Sequence, residues 1–286
     1  VDGPILLRIA PDTGYMYVRG RVYENVTDLA EHVDQRQLMI RSAIGVVAVV
    51  DRTGNLKLRG RVYPRTIVLD PGHGGTDVGC PSNWGSQYHE SVLTMDLAER
   101  VRTALYNGAN PGEVRVLMSR TEGQDPAIPA RARLANVENA QLFLPIHFNG
   151  AADPPHAVET WVYSENTGGR QHNFQADSDF GTAILNATYG AFRQDIINRG
   201  LKDGTVADNM AVLLDTSDYL NNTLDHQPIR ATLLEVNFVN NATFHEIWNT
   251  QEADEPGAGD AGRTPEQVRT EVAVAIAASL LTQVRL

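Results

Sequence analysis

The pattern of hydrophobic and polar positions changes near residue 64, and the two parts of the chain predict different structures. Before that point, short runs of β-branched and other apolar residues recur, and VVAVVDRTGNLKLRG (46–60) is typical of a hairpin that turns at Thr53-Gly54-Asn55. Residues 25–43 between such runs leave room for a helix. We therefore predict a small β-rich module over residues 1–64, and it carries no group of residues with an evident chemical role.

From residue 65 onward, strand-like runs alternate with helical ones. Strands are predicted at 66–69, 114–118, 142–146, 158–163 and 231–236. Helices are predicted at 90–106, 128–140 and 183–198 and after the capping box of Thr264 and Gln267, and a polar loop is predicted over 164–181. This alternation predicts an α/β fold for residues 65–286, a twisted, mostly parallel sheet flanked by helices.

Composition and charge narrow the class of protein. The 286 residues are 42% hydrophobic and 21% charged, which is typical of a globular chain with a sizeable core. The net charge of −11 argues against binding nucleic acid or an anionic membrane by bulk electrostatics. No apolar run approaches the roughly 18 to 20 residues of a membrane helix, so no integral membrane segment is expected. The single cysteine, Cys80, excludes an intrachain disulfide, and no signal peptide is visible.

Chemically active side chains gather where the predicted strands end. His73 follows the first strand in LDPGHGG, His147 lies in LPIHFNG, Glu235 lies in the apolar run LLEVNF, and Glu90 begins the first helix. Two histidines and a carboxylate are a common catalytic zinc set, and the glycines beside His73 leave room for a metal and a substrate. A histidine after a strand is more often solvated, and a glutamate in a first helical turn is favourable without a metal. A buried Glu235 is harder to explain without a partner.

Other catalytic patterns are absent from the sequence. The glycine-rich segment is neither GxGxxG nor a P-loop, and there is no HExxH or GxSxG. The zinc set therefore remains the strongest chemical hypothesis.

Five separated motifs occur in an order that resembles a known family. They are LDPGHGGTDVG (69–79), SR (119–120), I-x-x-R-x-x-x-AN (128–136), IHFN (146–149) and LLEVNFVNN (233–241), with a glutamate opening the helix after the first motif. Over residues 65–286 this order resembles the zinc-dependent N-acetylmuramoyl-L-alanine amidases of the amidase-3 type. Cys80 stands where the family usually has a small alanine, Pro145 stands where it usually has serine, and His89 beside Glu90 is a competing ligand candidate.

The resemblance implies roles for individual residues. His73, Glu90 and His147 would bind Zn²⁺, and Glu235 would be the catalytic acid and base. Three further residues are candidates for binding substrate or supporting the ligands: Asn149, Glu159 and Arg131. A solvent-facing strand position is an equally good interpretation of Glu159.

The same resemblance implies a function. The expected reaction is hydrolysis of the amide between N-acetylmuramic acid and the L-alanine of the stem peptide, with peptidoglycan as the partner. The expected location is the cell envelope, periplasmic or extracellular, or a phage particle. Residues 1–64 would then target the wall, join a larger assembly or support the catalytic domain. The alternatives are a zinc peptidase that cuts within the stem peptide and a non-enzymatic wall-binding module. Segments 164–181 and 215–228 are candidates for an inhibitory insertion.

Overall fold

The computed structural model describes residues 65–110, 113–138, 140–164, 173–192, 196–213, 229–249 and 262–286, together with the backbone of six strands before residue 65. The chain divides into two compact units. One comprises residues 1–65 with 110–115, and the other comprises residues 66–109 with 116–286.

The first unit contains two three-stranded antiparallel sheets. Strands β1 (Ile5–Arg8), β2 (Tyr15–Val18) and β3 (Val22–Tyr23) form one sheet, and β4 (Leu38–Arg41), β5 (Val46–Val50) and β6 (Leu56–Arg61) form the other. Pairing of Val50 with Leu56 confirms the hairpin predicted over 46–60. The prediction of a helix within residues 25–43 is wrong for Leu38–Arg41, because these residues form strand β4 and pair with β5. The remainder of that segment and the turn at 53–55 lie outside the described residues.

The other seven described strands form one mixed sheet, and nearly all of their residues belong to the second unit. They are β7 (Arg65–Pro71), β8 (Val114–Met118), β9 (Leu142–Asn149), β10 (Ala157–Tyr163), β11 (Ile197–Gly204), β12 (Arg230–Ala231) and β13 (Leu233–Phe238). Their order is β11-β10-β13-β9-β7-β8, with β12 paired to β9. Strands β7, β9 and β13 are mutually parallel, whereas β10 is antiparallel to β13 and parallel to β11. The connection from β9 to β10, residues 150–156, is too short for a parallel crossover, so β10 must reverse direction.

Helices pack around this sheet and supply much of its core. They are α1 (Glu90–Gly108), α2 (Ile128–Val137), α3 (Phe174–Ala191), α4 (Ala242–Trp248) and α5 (Pro265–Arg285). Apolar residues spaced four apart form a buried stripe on α1 (Leu93, Leu97, Val101 and Leu105) and on α5 (Val268, Val272, Ile276 and Leu280). Helix α5 packs against both α1 and α3. The predicted capping box is confirmed, because Thr264 and Gln267 exchange side-chain and backbone hydrogen bonds. Across the described part of the chain, every helix falls short of the length and apolarity needed to cross a bilayer.

Two sequence predictions in the second unit are wrong. The loop predicted over 164–181 ends early, because α3 begins at Phe174, and residues 165–172 lie outside the described residues. The helix predicted over 183–198 ends at Ala191, and Ile197 already begins β11. Strand β11 has the sequence INRGLKDG, whose many polar residues suit the edge of a sheet and hide the alternation typical of a strand. The short helix α4 was not predicted at all.

Candidate metal centre

Three side chains from three separate elements meet at the carboxyl end of the central strands β7 and β9. His73 lies on the loop after β7, Glu90 is the first residue of α1, and His147 lies within β9. Glu90 Oε1 lies 3.0 Å from His73 Nε2 and 3.0 Å from His147 Nδ1. One nitrogen or oxygen from each residue falls within 4.8 Å of the other two. The structure therefore brings together the three residues that the sequence predicted as ligands.

Two glycines make this close approach possible. A Cβ atom at Gly72 would lie 2.3 Å from His147 Cε1, which is an impossible contact. A Cβ atom at Gly79 would lie 2.6 Å from both Glu90 Oε2 and His73 Cδ2, and the φ of +65° at this residue also favours glycine. The glycines of the LDPGHGGTDVG segment thus serve the packing of the three side chains as well as the turn.

The imidazole of His73 is held by a carboxylate on its own loop. His73 Nδ1 lies 2.8 Å from Asp77 Oδ2, and Asp77 Oδ1 accepts a hydrogen bond from the Gly79 backbone N–H. This contact turns Nε2 towards Glu90 and fixes the ring. Metal-binding histidines commonly pair their second nitrogen with a carboxylate in this way. Asp77 was not singled out from the sequence, although it lies four residues after His73 in the first motif.

Two buried arginines hold the backbone of the His73 loop. His73 itself has a left-handed φ of 59°, which is uncommon for a residue with a side chain. The Arg131 guanidinium donates to the carbonyl oxygens of Pro71 and His73 and to Asp70 Oδ1. Arg120 donates to the carbonyl oxygens of Pro71 and Gly72. Arg131, a sequence candidate, thus holds the loop that carries His73. Arg120 holds the same loop, but the sequence identified it only as part of the SR motif and predicted no role for it.

The electrostatics of the three residues are strongly coupled. Burial alone would raise the pKa of Glu90, but hydrogen bonds from His147 and His73 lower it to about 2. Burial would lower the pKa of His73, but Glu90 and Asp77 outweigh it and raise that pKa to about 9. The Glu90 carboxylate is therefore ionised, and without a metal His73 carries a proton that a divalent cation would displace on binding, because a histidine ligand must be neutral.

Glu235 lies beside this cluster on the neighbouring strand. It is opposite His147 in the parallel pairing of β13 with β9. Its Oε2 atom is buried and has no hydrogen-bond partner among the described residues. Burial raises the pKa of Glu235 well above its usual value, and the charges of Glu90 and Glu159 raise it further, against a smaller opposing effect of Lys202. An unpaired buried carboxyl oxygen is costly, so the site is suited to a further polar group such as water or substrate.

Glu159 extends the row of side chains to a third strand. It lies directly opposite Glu235 on β10 and is 1% exposed, so the solvent-facing interpretation of this residue is wrong. Its Oε1 accepts hydrogen bonds from Asn149 Nδ2 and Trp161 Nε1. Asn149 thus contacts Glu159, and these two sequence candidates lie side by side next to Glu235.

The departures from the family pattern do not displace the three ligand candidates. His89 Nδ1 accepts a hydrogen bond from the Ser82 backbone N–H, which turns that ring nitrogen away from the cluster. The Cys80 backbone N–H donates to Glu90 Oε2, and its sulfur packs where a Cβ on Gly150 would otherwise lie. Cys80 therefore helps to hold Glu90 through its backbone.

The donor set fits a catalytic metal site. Two imidazole nitrogens and one carboxylate oxygen match the ligand types of catalytic zinc centres, which leave a further position for water or substrate. The unpaired Glu235 Oε2 supports the same interpretation, because a carboxyl group beside such a site can exchange a proton with the reacting water.

Comparison with known proteins gives a consistent result. Residues 67–259 match the model of the Amidase_3 family, described as N-acetylmuramoyl-L-alanine amidase. The amidase CwlM of Bacillus licheniformis is 42% identical over 97 residues, which are 34% of this chain and 36% of that protein. The amidase AmiA of Escherichia coli is 36% identical over 106 residues, or 36% of this chain and 34% of that protein. The chain thus spans about a third of the length of these curated relatives.

Solved structures show the same fold. An N-acetylmuramoyl-L-alanine amidase from Clostridium difficile 630 superposes with a TM-score of 0.56 and 20% identity, covering 77% of this chain and 96% of that one. The catalytic domain of CwlV from Bacillus (Paenibacillus) polymyxa gives a TM-score of 0.56 and 21% identity, covering 76% of this chain and 97% of that one.

Proposed function

Because the chain belongs to the Amidase_3 family of N-acetylmuramoyl-L-alanine amidases, we propose that it hydrolyses the amide between N-acetylmuramic acid and the L-alanine of the stem peptide. The observation that carries this proposal is the convergence of His73, Glu90 and His147 beside the unpaired carboxyl oxygen of Glu235. Peptidoglycan is the proposed substrate, and the names of the relatives as N-acetylmuramoyl-L-alanine amidases support action outside the cytoplasm, in the periplasm or extracellularly.

The proposed cofactor is zinc, held by His73, Glu90 and His147. When bound, zinc would act as a Lewis acid towards the scissile carbonyl and would lower the pKa of the attacking water. Asp77 would keep His73 Nε2 directed into the site, and Arg131 would keep the His73 backbone in its left-handed conformation.

Glu235 has the proposed role of proton carrier. Its Oε2 is free to accept the proton of the attacking water, and the same atom then delivers that proton to the nitrogen of the departing L-alanine. The raised pKa of this carboxyl group suits it to hold the proton between the two steps. Glu159 would not take part in the proton transfer, because its two carboxylate oxygens already accept hydrogen bonds from Asn149, Trp161 and Lys202.

Residues 1–64 are proposed to attach the catalytic unit to the wall or to a larger assembly. A zinc peptidase acting within the stem would use the same residues, but the family match favours the amidase. A non-enzymatic module would have no need for a complete set of three ligands and an acid/base. The grouping of His73, Glu90 and His147 beside Glu235 supports an enzyme instead.

A Glu235→Gln variant tests the proposed reaction. Gln retains the shape of the side chain but cannot accept the proton, so we expect normal zinc content with activity lowered by at least about a hundredfold. Zinc content is measured by elemental analysis and activity by release of stem peptides from purified peptidoglycan. Undiminished hydrolysis by this variant would show that Glu235 is not the proton carrier.

A further inference from the structure

An irregularity in strand β11 lies directly opposite Glu159. Val158 pairs with Asn198, but Thr160 pairs with Leu201, so Glu159 faces two residues, Arg199 and Gly200. Gly200 has a φ of +83°, which suits the bulge. The extra residue changes which side chains share a face of the sheet.

The bulge brings two cations to the same carboxylate. Arg199 and Lys202 are three positions apart and would point to opposite faces of a regular strand. In the structure, Arg199 Nη1 lies 3.1 Å and Lys202 Nζ lies 2.6 Å from Glu159 Oε2. Both cations therefore lie on the face that carries Glu159, which is also the face of Glu235, its direct partner on β13.

The two cations are more open to solvent than the carboxylate they share. The side chain of Glu159 is 1% exposed, whereas those of Arg199 and Lys202 are 37% and 26% exposed. Aromatic rings hold both in place, because Arg199 lies 5.3 Å from the centre of the Phe238 ring and Lys202 lies 5.0 Å from that of Trp161.

Two cations of this group contact one and the same carboxylate. Arg199 and Lys202 bring two positive charges, and their shared partner Glu159 brings one negative charge. A guanidinium has five N–H donors, and only Nη1 of Arg199 is used on Glu159, so donors remain for a further acceptor. In a chain of net charge −11, this places two cationic side chains on β11, three strands along the sheet from His147 on β9.

We propose that Arg199 and Lys202 form a subsite for the free carboxylate of the second residue of the stem peptide, placed beside Glu235 by the bulge in β11. The inference rests on the proposed function and deepens it. The N-acetylmuramoyl side of the scissile amide is a neutral sugar, whereas the stem peptide carries free carboxylates, so the peptide is the part that a cationic subsite recognises. The guanidinium fork and the ammonium group would then discriminate a free acid from the corresponding carboxamide.

The test compares two muropeptides that differ in a single group. Both are disaccharide pentapeptides, one with D-glutamate and the other with D-isoglutamine as the second residue, so that a carboxylate is exchanged for a carboxamide. For the zinc-loaded protein we expect kcat/KM to favour the acid by about tenfold, as for the loss of one charge-assisted contact. Calorimetric binding of the same pair to the Glu235→Gln variant measures the preference without turnover.

Variants separate recognition from a structural role. Arg199→Gln is expected to raise KM for the acid and to leave the amide almost unchanged, which reduces the preference to less than about twofold. Arg199→Lys should restore part of it. Arg102→Gln, which removes one positive charge from the distant surface of α1, should leave the preference intact.

Each outcome decides between the possibilities. Equal cleavage of the two muropeptides by the wild-type protein would overturn the subsite while leaving the amidase in place. An equal loss on both substrates in Arg199→Gln would show that the arginine only supports the fold. Cleavage of neither muropeptide at the lactyl amide would contradict the proposed function itself.

Discussion

Glu159 and Glu235 lie directly opposite each other on the antiparallel strands β10 and β13. Two carboxyl groups in this relationship repel each other when both are ionised. Glu159 is compensated by Arg199, Lys202 and two neutral donors, whereas Glu235 Oε2 has no partner in the described part of the chain. Burial is the main cause of the raised pKa of Glu235, and the charges of Glu90 and Glu159 add to it. Glu159 therefore helps to set the pH range in which Glu235 can accept a proton.

The first prediction concerns Glu159→Gln. Removal of this negative charge favours the ionised form of Glu235, so the pKa of Glu235 falls. The acid limb of the kcat/KM profile should then move to lower pH, as measured with a soluble muropeptide. Glu99→Gln on the exposed surface of α1 is the control and should leave the profile in place. Movement of the limb to higher pH would contradict this account.

A second prediction concerns the metal ligands. His73→Ala removes one of three ligands, so zinc content after dialysis should fall from about one ion per chain to nearly none, with loss of activity. His245→Gln is the matched control, because that ring stacks on Trp84, 4.2 Å away between ring centres, and is not part of the ligand cluster. The control should retain its zinc. Full zinc occupancy in His73→Ala would remove His73 from the ligand set.

Asp77→Asn tests the support of His73. The Asp77 carboxylate is hydrogen-bonded to His73 Nδ1 and contributes to the raised pKa of about 9 of that imidazole. The amide is a weaker acceptor and leaves the ring less well oriented, so zinc should bind about 10 to 100 times more weakly. Competition with a chromophoric chelator measures this affinity, and Asp96→Asn on α1 serves as the control. An unchanged affinity would show that Asp77 does not position the ligand.

A fourth prediction concerns stability. Glu266 at the start of α5 accepts hydrogen bonds from Arg100 on α1 and from Arg269, and these contacts lower its pKa from 4.5 to about 2. A lowered pKa means that the contribution is present above about 4.5 and is lost as the pH falls towards 2. Because the Glu266 side chain is 56% exposed, solvent screens the pair, and Glu266→Gln should cost less than about 1 kcal/mol.

Urea unfolding curves measure this contribution. The difference in free energy of unfolding between wild type and Glu266→Gln should be greatest near neutral pH and should shrink as the pH falls towards 2. A difference that grows on acidification would contradict the assignment of the Arg100–Glu266 contact. Glu122→Gln, on the exposed segment after β8, is the control and should show no such dependence on pH.

Regular patterns in the sequence predicted the parts of the fold that bury apolar side chains. The structure contains the buried apolar stripe of α1, the capping box of α5 and the apolar strand that precedes His73. Strand β11 was missed because INRGLKDG lies at the edge of the sheet and carries polar residues instead of an alternating pattern. The start of α3 was missed because its first turns mix buried residues such as Phe180 with polar ones.

In the site too, residues with a local sequence signal were predicted and residues placed by strand register were missed. His73 and His147 were identifiable because each lies in a short motif with an unusual composition, and Glu90 was identifiable because it opens the helix after the first motif. Arg199 and Lys202 were not, because their position depends on a bulge and on the register between β10 and β11, and neither leaves a local signal. The surroundings of Glu159 also depend on register, which explains why the sequence left a solvent-facing interpretation open.

The most direct test of the central claim is the identity of the bond that is cut. Purified peptidoglycan is incubated with the protein, with and without a chelator, and the soluble products are identified by mass spectrometry. The proposed function predicts free stem peptides that begin with L-alanine, which disappear on chelation and return when zinc is restored. Fragments cut within the stem peptide, or no released peptide from the zinc-loaded protein, would contradict it.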